Sequence, residues 1–386
     1  MSPSRRPPLR RLTLLALGLA STISAAPSSA QVVLQNVDGR QTRSLDGDWH
    51  TIVDPYENGY YDYRYQPNPN GYFRDAKPAD PSVLQEYDFD ASATLEVPGD
   101  WNTQRPELFL YEGTVWYRRL FEARPEEGRR VFVHFGAANY EARVWLNGEE
   151  LGYHAGGFTP FAFEVTDVLR AGSNSLVVKV DNARRRAAVP TVNTDWWNYG
   201  GLTRGVRLVE VADTFVRDYV LRLGDGGEVT GWVQLDGSEP STVVVVRVPE
   251  ADLETVVRAD ETGLGRFVLD AAAGVGGSGP ALELWSPENP RLYDVEIAVQ
   301  GARPEDVVRD RIGFRTIETR GHEILLNGES VFLRGISIHE EAPGGGRVTT
   351  REEARTLLTW AKELGCNFVR LAHYPHGEWM VREADR

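Results

Sequence analysis

Three short clusters in this sequence carry side chains whose types and spacing could do chemistry. Asp195-Trp196-Trp197-Asn198-Tyr199-Gly200-Gly201 sets a carboxylate beside two indoles and a phenol. A carboxylate accepts hydrogen bonds from hydroxyls, and flat aromatic faces stack on sugar rings, so the cluster has the makings of a sugar contact. The same residues also suit a sandwich-edge loop whose rings pack on a neighbouring domain, and both readings stand at this point. His339-Glu340-Glu341 closes a strand-like run, where barrel enzymes place working groups; a hydrogen-bonded structural pair fits it equally. Arg370-Leu371-Ala372-His373-Tyr374-Pro375 puts a permanent cation inside a strand and an imidazole at its end. Three residues apart, Arg370 and His373 fall on opposite faces of a regular strand. Tyr374-Pro375 breaks that regularity, so a shared site stays open. Arg370 near a carboxylate would hold it ionised, as a nucleophile needs, or would pair with an interior carboxylate for stability alone.

The elements that must position these clusters change type along the chain. From 31 to 211 short alternating runs are broken by Gly, Pro, Asn and Asp. Val131 to Phe135 and Ser175 to Val180 read as strands, and Ala142 to Leu146 before Asn147-Gly148 is a hairpin signal, because both turn positions want positive φ. An all-β sandwich is expected. A second β segment, 212–317, holds the β-branched run Thr242 to Val248 and the alternating run Tyr293 to Val299, with a Gly/Ala-rich loop at 271–280. An immunoglobulin-like sandwich fits it. Segment 318–386 differs. A hairpin around Asn327-Gly328 has a second arm that runs on to Ile338. A helix follows, with Thr350 and Glu353 as capping box, Ala354, Leu357, Leu358 and Ala361 on one face, and Gly365 as its stop. Phe368 to Ala372 then reads as a buried strand. Strand, helix, strand opens a parallel α/β fold, and the sequence offers no room for a second helix and third strand.

The chain has 386 residues, 41% apolar and 25% charged, ordinary for two to four globular domains. Residues 1–30 read as a removed signal peptide: Arg5, Arg6, Arg10 and Arg11, an apolar stretch from Leu12 to Ile23 too short to span a membrane, then Ser28-Ser29-Ala30. An exported, periplasmic or extracellular protein is expected, with general and twin-arginine routes both open at Arg10-Arg11. Losing these four arginines moves the net charge from −14 to −18, which argues against nucleic-acid binding. No later apolar run is long enough for a membrane span. Cys366 is the only cysteine, so no internal disulfide forms.

Asn367 to Pro375 resembles the first signature of family 2 glycoside hydrolases, the β-galactosidases, β-glucuronidases and β-mannosidases, with Leu371 where a small or polar residue is usual. The likeness continues in order through Pro98-Gly99-Asp100-Trp101, Val144 to Gly148, Gly156 to Phe161, Asp195 to Gly201, Trp285 to Pro290, Ile312 to Arg315 and Arg334 to Glu340. The resemblance implies a jelly-roll sugar-binding domain, an immunoglobulin-like sandwich and the start of a (β/α)₈ TIM barrel. It implies that Asp195 reaches the hydroxyls of a β-linked glycoside, that His339 and His373 contact the sugar in the −1 subsite, and that Arg370 orients the nucleophile. It also implies a retaining mechanism with two glutamates and no organic cofactor, a Mg²⁺ or Na⁺ ion in some relatives without ligands identifiable here, and common homo-oligomers. The family's acid lies in an Asn-Glu pair late in barrel strand four and its nucleophile on strand seven. This sequence has no Asn-Glu dipeptide. Its catalytic carboxylates are therefore expected beyond Arg386, and the chain is expected to be an inactive fragment. A non-catalytic carbohydrate-binding protein is the alternative, though it gives no use for Arg370 and His373. A structural adhesin leaves the Asp195 cluster unexplained.

Overall fold

The computed structural model describes residues 31–77, 80, 82, 87–224, 226–237, 239–269, 282–302 and 305–386. The signal-peptide segment 1–30 and the Gly/Ala-rich loop at 271–280 lie outside the described residues.

Alternation of apolar and polar residues builds two antiparallel sheets in the first segment. Six strands run in the order Thr94–Val97, Gly47–Asp54, Thr114–Ala123, Gly172–Asp181, Glu141–Leu146, Glu149–Ala155. Four more run Gln41–Ser44, Val206–Ala212, Arg129–Phe135, Phe161–Glu164. One core between them takes Val115 and Tyr117 from the first sheet and Val133 and Phe135 from the second. The expected hairpin forms at Asn147-Gly148, with φ of 54° and 83°.

The other face of the larger sheet is not left to water. Tyr60, Phe73 and Phe89 cover Trp116, Trp145 and Val177, with Phe73 stacked on Trp145 at 4.9 Å and 13°. The Trp116 indole donates to Asp54 Oδ2 at 2.9 Å. Much of the chain's aromatic wealth is therefore structural; Trp49, Trp101, Trp116 and Trp145 are fully buried.

A second sandwich pairs a three-stranded sheet (Phe215–Leu223, Val229–Asp236, Leu264–Leu269) with a four-stranded one (Leu253–Arg258, Val243–Val248, Tyr293–Val299, Asp306–Ile312). Its core is dense in valine. β-branched side chains suit a pleated, buried surface.

The third segment opens with a three-stranded antiparallel sheet, Ile317–Arg320, Glu323–Leu326 and Glu329–Ser330, the last two joined as the expected hairpin. Its second arm does not run on: residues 331–334 are irregular, and a separate strand, Gly335–Ile338, pairs in parallel with Phe368–Leu371. Between them lies the helix Arg351–Glu363, with the Thr350/Glu353 capping box formed. Gly365 at φ 77° ends it. Ala354 and Ala361 are buried and Leu357 and Leu358 half-buried, as the helical spacing requires.

The sequence reading missed a second helix, Glu378–Asp385. Eight residues whose apolar positions Trp379, Met380 and Val381 are consecutive give a weak periodic signal; contacts decide the matter. Met380 is 1% exposed and joins Ile338 and Ala354 in a small core against which Ile336, Leu357, Leu358, Val369 and Leu371 pack. Phe332 and Phe368 remain exposed. The helix is also fastened to both sandwiches. Arg382 donates to Asp310 Oδ1 at 2.6 Å and to Asn36 Oδ1 at 3.1 Å. The Trp285 indole donates to Asp385 O at 2.7 Å.

Candidate active site

The loop bearing Asp195 is held from below by backbone and amide contacts. Asn182 and Asn198 exchange side-chain-to-carbonyl bonds of 3.0 and 2.7 Å. Gly200 N donates to Asn102 Oδ1 at 2.9 Å, and Asn139 Nδ2 donates to Tyr199 O. A Cβ on Gly200 would meet the Trp101 ring at 2.0 Å, so only glycine allows this approach. Asp100, from the Pro98-Gly99-Asp100-Trp101 run, caps the short turn carrying Trp101 through Thr103 N at 2.8 Å. Its other oxygen accepts from Arg347 N at 3.3 Å, and burial raises its pKa. One carboxylate thus ties the first sandwich to the loop before the helix.

Above this base the three sequence clusters meet. Trp196 stands 5.7 Å from His373 with rings near parallel, 6.1 Å from His339 and 5.5 Å from Tyr374. His373 Nε2 lies 3.9 Å from Asp195 Oδ2, and Arg370 Nη2 lies 3.0 Å from His373 Nδ1. The strand ends at Leu371, and beyond it the chain leaves regular alternation, so Arg370 and His373 meet on one side. Asp195, Trp197, Arg370 and His373 are exposed, so the cluster forms an open polar and aromatic wall. Among the described residues Arg370 makes no ion pair with a carboxylate.

Glu340 has a different job. It is 2% exposed and accepts from Arg204 Nη2 at 2.6 Å and from Gly377 N at 2.7 Å. Arg204 also donates to Phe158 O at 2.9 Å and Pro375 O at 2.8 Å. His339 and Glu340 are not a mutual pair. Sequence reasoning missed Arg204, whose only signal is its place three residues beyond Gly201. It also missed Arg347, whose guanidinium lies over Tyr374 at 4.5 Å, Phe158 at 5.0 Å and Tyr199 at 5.5 Å. Phe158 and Tyr374 stack at 4.0 Å, and burial raises the Tyr374 pKa. An arginine after three glycines gives no hint of such a cage.

Among the described residues no group of three or more His, Cys, Asp or Glu could hold a metal ion. No helix there is long and apolar enough to cross a membrane.

Two sandwiches are followed by a parallel strand–helix unit, with the His339 and His373 rings and Trp196 at the strand ends. Residues 42–212 match the family model "Glycosyl hydrolases family 2, sugar binding domain", 211–315 the model "Glycosyl hydrolases family 2", and 317–386 the model "Glycosyl hydrolases family 2, TIM barrel domain". The chain belongs to glycosyl hydrolase family 2. A β-glucuronidase of Paenibacillus borealis is 28% identical over 382 residues, covering 90% of this chain and 57% of the relative. A β-galactosidase of Thermoanaerobacter pseudethanolicus is also 28% identical, over 80% of this chain and 43% of its own length. A solved β-glucuronidase from Ruminococcus gnavus, in complex with D-glucaro-d-lactam, superposes with TM-score 0.73 at 26% identity, covering 92% of this chain and 59% of that one. The chain thus spans about half the length of the curated relatives it matches.

Proposed function

We propose that this chain supplies the sugar-contacting wall of a retaining β-glycosidase that removes a terminal β-linked hexose or uronic acid. In this reading 31–211 is a jelly-roll sugar-binding domain, 212–317 an immunoglobulin-like spacer and 318–386 the start of a (β/α)₈ barrel, in an exported protein. The observation that carries it is the single cluster linking Asp195, Trp196, His339, His373 and Arg370, drawn from a sandwich loop and from the ends of two adjacent parallel strands. Asp195 accepts hydrogen bonds from sugar hydroxyls, His339 and His373 hold the −1 sugar, and Arg370 orients the attacking carboxylate. In a protein of the relatives' length two glutamates about 5–5.5 Å apart do the cleaving, one as nucleophile and one as acid, then base. Neither Glu340 nor Glu341 fills those roles. Glu340 is buried against Arg204, and Glu341 Oε1 is buried within 3.8 Å of Arg347.

The test is titration of the purified chain with galactose and glucuronic acid, read from the Trp196 indole N–H resonance. A saturable shift that Asp195→Ala abolishes supports the reading. No shift of Trp196 with either sugar refutes it.

A further inference from the structure

Three buried side-chain atoms, His134 Nδ1, His376 Nδ1 and Trp379 Nε1, have no hydrogen-bond partner among the described residues. All three residues line one cavity of about 350 Å³, between the first sandwich, the segment at 33–38 and the start of the last helix. Buried polar atoms in native proteins are almost always satisfied. Three orphans around one space point to a guest. None of Asp195, Trp196, His339, Arg370 or His373 lines this cavity.

The orphans define the guest's chemistry. His376 Nε2 donates to Ala372 O at 3.0 Å, and burial lowers the ring's pKa. The ring is thus neutral, with its lone pair on Nδ1, an acceptor. Trp379 Nε1–H can only donate. Burial pushes His134 down to about 4, so it is neutral too and, as either tautomer, can donate or accept. A cation has nothing to accept the indole proton, and a carboxylate has nothing to give His376. A hydroxyl does both. The space is roughly ten times the ~30 Å³ share of one water, and Leu34, Phe158, Pro160 and Pro375 give it apolar walls for the C–H faces of a ring.

We propose that this cavity is a second saccharide-binding site, taking a single neutral or uronic pyranose through its hydroxyls, separate from the Asp195 cluster. The experiment labels the chain's ten tryptophans with ¹⁵N at the indole and assigns Trp379 with Trp379→Phe. Galactose and glucuronic acid are then titrated in. The expected result is a saturable, millimolar shift of Trp379 that persists in Asp195→Ala, where the Trp196 response is lost. His376→Leu weakens the Trp379 response about tenfold, the loss of one hydrogen bond. The wild-type titration decides the matter even if that variant fails to fold. A Trp379 resonance that neither sugar moves overturns the site, whatever Trp196 does. So does a Trp379 shift that vanishes together with that of Trp196 in Asp195→Ala, or sugar-soaked crystals with only water on the three atoms.

Discussion

Removing the Glu340 side chain separates the two jobs a carboxylate at a strand end can have. Glu340 and Arg204 are 2% and 7% exposed and face each other across the junction of the first sandwich and the parallel unit. Glu340→Ala leaves the Arg204 guanidinium buried with, among the described residues, the Phe158 and Pro375 carbonyls as its remaining partners, and it orphans Gly377 N. Breaking one side of a buried ion pair costs about 3–5 kcal/mol, because a charge is left without compensation. That loss falls on the docking of 335–385. Amides of the Arg351–Glu363 helix then lose hydrogen-exchange protection by a factor on the order of 10² to 10⁴, while protection in Thr114–Ala123 stays. Arg204→Met/Glu340→Leu removes both charges and recovers part of the loss. Exchange mass spectrometry on the three proteins gives the answer. Unchanged protection in Glu340→Ala, with the sugar response or hydrolysis by a chain extended to its relatives' length abolished, would make Glu340 a working carboxylate and refute the anchor.

The chain as it stands is expected not to hydrolyse nitrophenyl β-galactosides, β-glucuronides or β-mannosides above background; retaining turnover from pure protein would reassign Glu341. Asp195→Ala should weaken sugar binding about ten- to a hundredfold, from one charge-assisted bond worth about 1.5–3 kcal/mol, enough to take a millimolar Trp196 response out of the titrated range, with melting temperature unchanged. Its side chain is 75% exposed and lies 3.9 Å from His373 Nε2; a lowered melting temperature with normal binding reverses the assignment. Gly200→Ala should cost about 1–3 kcal/mol in thermal unfolding by overpacking Trp101. His134 has a folded pKa near 4, below its unfolded value, so the unfolded chain binds the proton first. Its contribution is intact above about 6.5 and is lost as pH falls toward 4. Urea midpoints at pH 6.5 and 5 should therefore drop less in His134→Phe than in the wild type.

Local chemistry made much of this protein readable from its sequence. Asn147-Gly148 and Asn327-Gly328 adopt positive φ because few other pairs tolerate it. Thr350 and Glu353 close a capping box three residues apart, and Tyr293–Val299 alternates because its strand has a core face. The three chemical clusters were visible for the same reason: each is contiguous. Tertiary structure alone decided what joins them. Arg370 and His373 meet because the strand ends at Leu371, a backbone event that residue spacing does not encode. Glu340 became an anchor because Arg204, 136 residues earlier, arrives from another domain. Glu378–Asp385 folds as a helix because Met380 finds Ile338 and Ala354, and because Arg382 finds Asp310 and Asn36. Propensity over eight residues is too weak to specify that; burial and ion pairing between distant segments supply the difference.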